Sequence, residues 1–185
     1  MRYIRLITIL LGLAITVGTL ISPSPAAAAS AAEINRDVKV ALEKLYAKST
    51  AARTLGEKAN GILVFPGIVK GGFLVGGQFG EGALLKGGKT AGYYNTVQLS
   101  YGWQAGIQKY GYALFFMTDS AMKWIDKSDG WEIGVGPSIV VVDVGVAKLL
   151  TTTTLQSEIY AFFFDQKGLM GGLGLQGTKI TRIEK

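Results

Sequence analysis

Between Ile34 and Leu45 the apolar residues Ile34, Val38, Ala41, Leu42 and Leu45 recur at helical spacing, with Tyr46 at the edge of the stripe. Arg36 and Lys39 lie to one side of that stripe, Lys44 and Lys48 to the other. Ser30 and Glu33 have the spacing of a capping box, in which each satisfies a backbone N–H of the other's turn. The helical pattern fades towards Ala52, and Gly56 or Gly61 stops it.

From Ile62 the period changes to two, the repeat of a strand. Residues 62–65 read as a buried strand ending at Pro66, with residues 72–75 and 83–85 as short strands among glycines. Over residues 98–108 the alternation is cleanest. Leu99, Tyr101, Trp103, Ala105 and Ile107 share one face, and Gln98, Ser100, Gln104 and Gln108 share the other. That pattern predicts an antiparallel strand with one wet side. Residues 112–117 form an apolar strand, and Asp119 is placed to cap a short helix carrying Met122 and Ile125. Asp129-Gly130 turns the chain back into strands at residues 131–135 and 139–142. Residues 159–164 are apolar on both faces and predict a central strand. Asp165 to Gly168 reads as a hairpin loop before a Gly/Leu strand and a last strand near residues 179–183. The expected class is α+β: an N-terminal amphipathic helix packed on a large, mainly antiparallel, glycine-rich sheet curled towards a barrel.

Ahead of the helix, Arg2 and Arg5 precede an apolar run at residues 6–21, which Pro23 and Pro25 break before four alanines at 26–29. Charge, apolar stretch and small-residue exit are the order of a secretory signal peptide. The organisation expected is therefore a signal at residues 1–29 and one domain at residues 30–185. The chain has no cysteine, so neither a lipid-modified cysteine nor a disulfide is available. The expected location is the periplasm or cell envelope, without a lipid anchor.

The formal charge of +6 falls to +4 when Arg2 and Arg5 leave. An excess that small, strewn along the chain, suits an anionic headgroup layer and is too thin for nucleic acid. The 26 glycines are about twice the usual share and sit inside apolar runs, which points to tight turns and close backbone packing.

Histidine is absent as well. This removes Ser-His-Asp and Cys-His triads and nearly all zinc and copper sites. Glu81 and Asp143 are the two acids without an evident structural role. Residues 83–90 (ALLKGGKT) fit a permissive phosphate-loop pattern, but strand-like sequence follows where the motif needs a helix. Lys86 to Lys89 therefore reads as a hairpin tip. Residues 77–82 fail as a dinucleotide fingerprint for the same reason. The chain is expected to be no enzyme and to use no cofactor, metal or nucleotide.

Four or five apolar side chains left wet on the N-terminal helix would cost about 6–12 kcal/mol. Something must cover that stripe. Its own sheet is one cover; a membrane is the other, with Lys39, Lys44 and Lys48 reaching the headgroups.

With these segments in view, the sequence resembles the SYLF domain family. The resemblance rests on ILVFP at residues 62–66, KGGF at 70–73, the pair Gly76-Gly77, GEG at 80–82 and Tyr101-Gly102. FFMT at 115–118, GVGP at 134–137, IYAFFF at 159–164 and KGL at 167–169 complete it. In eukaryotes the family comprises lipid-binding and actin-regulating modules, and in bacteria exported proteins. The resemblance implies anionic lipid binding through the N-terminal helical region and nearby basic residues, by position Lys39, Lys44, Lys48, Arg53, Lys58 and Lys70. Actin regulation is not expected of an exported bacterial member, which meets no actin in its compartment. Phosphatidylglycerol or cardiolipin are its natural anionic ligands. Two functions thus stand: a peripheral lipid-binding protein of the envelope, or a periplasmic structural domain that docks an envelope protein on its glycine-rich sheet.

Overall fold

The computed structural model describes residues 28–73, 75–101, 106–127, 129–142, 157–168 and 174–185. The expected signal peptide lies almost wholly outside them, as does Asp143. Two helices open the described chain, α1 (Ala31–Lys48) and α2 (Thr50–Lys58). The capping box forms: the Glu33 N–H donates to Ser30 Oγ at 3.3 Å and the Ser30 N–H to Glu33 Oε2 at 2.8 Å. The Ser30 N–H and then its hydroxyl, both donating to Glu33 Oε2, hold the Glu33 carboxyl below the usual carboxylate range. The helical pattern does not run on unbroken to Ala52. It breaks at Ser49, whose N–H still closes α1 onto Leu45 while its hydroxyl accepts from the Ala52 N–H to start α2.

Eight strands follow among the described residues: β1 (Gly61–Phe73), β2 (Val75–Lys86), β3 (Lys89–Tyr101), β4 (Gly106–Phe116), β5 (Trp131–Glu132), β6 (Ile139–Val142), β7 (Ile159–Gly168) and β8 (Lys179–Ile183). A short helix, α3 (Asp119–Ile125), follows β4. One mixed sheet has the order β5-β8-β3-β2-β1-β4-β7-β6, with β6 parallel to β7 and every other pairing antiparallel.

The sheet is curled into a half-barrel. In a flat sheet β3 and β4, three spacings apart, would be about 14 Å from each other. Yet the hydroxyls of Thr96 on β3 and Tyr112 on β4 lie 2.7 Å apart. Trp131 on β5 and Phe116 on β4 are five spacings apart, about 24 Å when flat, and their ring centroids are 6.1 Å apart. The concave face holds one core, including Leu63, Phe65, Tyr112, Leu114, Phe116, Trp131 and Ile180, and α3 closes it with Ala121, Met122 and Ile125. A second core lies on the convex face, where Ile34, Val38, Ala41 and Leu45 of α1 and Leu55 of α2 meet Val64, Ala83, Phe115 and Phe162. Both faces of β7 are therefore buried, which is why its sequence is apolar throughout.

Several local expectations change. Pro66 does not end β1; the strand continues through a register shift between Val64 and Gly67, the irregularity that accommodates a residue with no N–H to donate. Residues 98–108 are not one strand, because β3 ends at Tyr101, β4 begins at Gly106, and β2 and β1 lie between them. The strand expected at 131–135 shortens to Trp131–Glu132. Asp119 does not cap α3; Thr118 Oγ1 accepts the Ala121 N–H at 3.2 Å, and Asp119 takes a bond from Asn60. Asp165 to Gly168 is not a hairpin loop but the end of β7, passing through a residue of positive φ at Asp165.

Candidate functional site

The hairpin reading at Lys86 to Lys89 holds. Lys86 pairs with Lys89, and Gly87 and Gly88 take positive φ of 56° and 76°, the geometry of a two-residue turn that favours glycine. The next residues are β3, so the chain does not pass from this loop into a helix as the phosphate-loop motif requires. Glu81 is occupied, accepting from Lys185 Nζ at 2.9 Å and from the Ala29 N–H at 3.1 Å. Among the described residues no three His, Cys, Asp or Glu side chains cluster where a metal could sit. No described helix is long and apolar enough to cross a membrane.

Of the six cations expected to act together, the structure brings five into one helical layer. Lys39, Lys44 and Lys48 on α1 and Arg53 and Lys58 on α2 are exposed, while the apolar stripe beneath them packs on the sheet. Lys48 lies 3.2 Å from Asp165, and the Arg53 guanidinium lies 6.0 Å from the Tyr46 ring centre. Lys70 does not share this surface. It is 7% exposed and sits on the concave side, in register with Gln108 on β4 and Gln78 on β2, which in turn pairs with Gln98 on β3. Two of its glutamines find partners outside the row: Tyr110 Oη donates to Gln78 Oε1, and Gln98 Nε2 donates to the Gln176 carbonyl at 2.7 Å.

Behind that polar row the convex face is apolar and open. Beyond the helices, β1 to β4 extend as a tongue. In its first convex row, Val69, Phe79 and Val97 pair side by side across β1, β2 and β3. The next row runs Ile107–Gly71–Gly77–Leu99 across β4, β1, β2 and β3. Leu99 is 69% exposed, Ile107 68%, Val75 57% and Phe79 51%. Exposed lysines bracket the first row. Lys109 pairs with Val69 on one side and with Lys167 beyond it, and Lys179 pairs with Val97 on the other. The helical layer and the tongue meet at a notch of about 370 Å³ between Ala28, Ala29 and Ile34 on one wall and Val69 and Phe79 on the other.

Sequence reasoning detected the alternation at 98–108 but assumed that its apolar side was the buried one. The reverse holds for the described residues: Gln98 and Gln108 face the inside of the half-barrel, Leu99 and Ile107 the outside. The available signal was that the polar side is made of glutamines, because a neutral amide that finds hydrogen-bond partners tolerates burial.

No curated protein matches the chain. Residues 97–185 match a family model described as Ysc84, the Las17-binding protein actin regulator. The match takes in the end of β3 and all of β4 to β8, and five of the eight strands therefore lie inside it while the six cations named above lie outside. Over residues 97–185, just under half of its length, the chain is similar to the SYLF family, that of the Las17-binding actin regulator Ysc84.

Proposed function

We propose that the protein is a non-enzymatic, exported protein of the cell envelope that attaches reversibly to anionic phospholipid through its helical layer. The observation that carries this reading is the division of labour within α1 and α2. Their apolar faces pack on the sheet, and Lys39, Lys44, Lys48, Arg53 and Lys58 stay in solvent. Residues 31–58 hold six cations and four acids. A surplus of two, at about 1 kcal/mol per basic residue near an anionic surface, gives weak and salt-sensitive attachment. The stripe itself is covered, so insertion of α1 as an amphipathic helix is not part of the reading.

Co-sedimentation with vesicles tests it. Phosphatidylglycerol-containing vesicles should retain the protein at low salt, and phosphatidylcholine vesicles should retain much less. Salt near 0.5 M, where screening acts within about 4–5 Å, should remove the difference. Replacing Lys39, Lys44 and Lys48 together by Gln should weaken retention with little change in melting temperature, since exposed charges contribute little to stability. Equal retention by both vesicle types contradicts the reading. The second reading, a domain that docks an envelope protein on its sheet, has in its favour the open apolar face of the tongue.

A further inference from the structure

The tongue reverses the usual arrangement of a soluble sheet. Its concave side carries Gln108, Lys70, Gln78 and Gln98 in one row, with Lys70, Gln78 and Gln108 buried. The convex side carries Val69, Phe79, Val97, Leu99 and Ile107, all exposed. Apolar-out and polar-in is the alternation of strands that meet lipid. Contiguous exposed apolar surface of this kind marks a contact site.

We propose that the convex face of this tongue is the part of the protein that enters the bilayer, seated in the interfacial region of an anionic leaflet. The lipid class rests on the reading given above; the surface is a different one. Charge selects this occupant. Lys109, Lys167 and Lys179 stand at the two sides of the first apolar row, placed to reach phosphates while the row between them is submerged. The apolar positions of the two rows hold no acid, and the exposed Glu132 pairs with Lys179 at the outer edge of the first, so Lys109 and Lys167 carry most of the charge argument. Glu81, one row nearer the helices, already binds Lys185 and the Ala29 N–H.

The dimensions agree. From Val69 to the end of β1 at Phe73 the strand advances about 13 Å, far short of the ~30 Å hydrocarbon core, so these rows suit an interfacial seat and not a span. Gly71 and Gly77 keep the middle of the second row flat.

The test uses the protein recovered from the cell envelope and exploits the absence of native cysteine. Leu99→Cys and Lys89→Cys, the latter at the opposite end of the sheet, are each labelled with an environment-sensitive dye and mixed with phosphatidylglycerol vesicles carrying nitroxide lipid. The label at 99 should shift to the blue and be quenched, and the label at 89 should stay wet. Phe79→Ser with Leu99→Ser should lower vesicle affinity about thirtyfold at unchanged melting temperature. If the unmodified protein binds these vesicles while the label at 99 stays wet, the tongue is not the inserted surface, though the lipid reading survives. Failure of the unmodified protein to bind overturns both. A lipid-free dimer by light scattering that the double variant converts to monomer would assign the face to a second copy and overturn the proposal.

Discussion

At Gly82, opposite the irregularity that Pro66 introduces into β1, a Cβ would come within 2.1 Å of the Val64 carbonyl oxygen and 2.7 Å of the Phe65 ring. A backbone oxygen cannot rotate away as a side chain can. Gly82→Ala should therefore cost about 1–3 kcal/mol, lowering the melting temperature by several degrees in a chain of this size. Gly77→Ala is the control, since its Cβ meets nothing nearer than 3.6 Å. It should leave the melting temperature unchanged or slightly raised, because alanine loses less backbone freedom on folding. Equal losses at the two positions would show that glycine content, not position, matters. The sequence does show that the glycines sit among apolar runs and so implies close approach. It cannot show which glycine is indispensable, because the clash at Gly82 depends on a register shift in the neighbouring strand. The cap at Ser30 is legible for the opposite reason: both partners lie three residues apart, and no distant contact decides the matter.

At the scale of one element, β4 carries Tyr110 and Tyr112 two residues apart, so both point into the concave core. Burial pushes the Tyr110 phenol up to about 12 and raises that of Tyr112 also, against an ordinary value of 10.0. Above pH 10 the unfolded chain releases these protons while the folded chain keeps them. The folded state then binds more protons, and stability falls as pH rises. Melting temperature should decline between about pH 10 and 12, with tyrosinate absorbance from these two residues appearing only on unfolding. Tyrosinate signal from both rings in a still-folded protein would contradict the burial described for β4. The same element shows where period two stops being informative. Alternation runs from Gln98 to Gln108 across the end of one strand and the start of another, and parity is the same on both sides of the junction. Alternation also has no sign: it separates two faces without saying which is inside. That is settled by the curl, which brings β5 and β8 round to cover the tyrosine side, and no local pattern encodes it.

On the scale of the whole molecule, two surfaces on the convex side complement each other. The helical layer offers a charge surplus of two, about 2 kcal/mol at an anionic surface. By itself that gives only the weak, salt-sensitive attachment proposed above. The tongue offers Val69, Val75, Phe79, Val97, Leu99 and Ile107, each between about two-fifths and two-thirds exposed. On the proposed reading, submerging what remains open on them would contribute roughly 1 kcal/mol each and turn a weak electrostatic encounter into a defined seating.

Lysine acetylation with vesicles present, read residue by residue by mass spectrometry, tests that account directly. With phosphatidylglycerol vesicles Lys39, Lys44, Lys109 and Lys167 should be modified more slowly than with phosphatidylcholine vesicles, while Lys86 and Lys89, at the far end of the sheet, should react equally in both. Equal rates at all these lysines, or protection confined to Lys86 and Lys89, would contradict it.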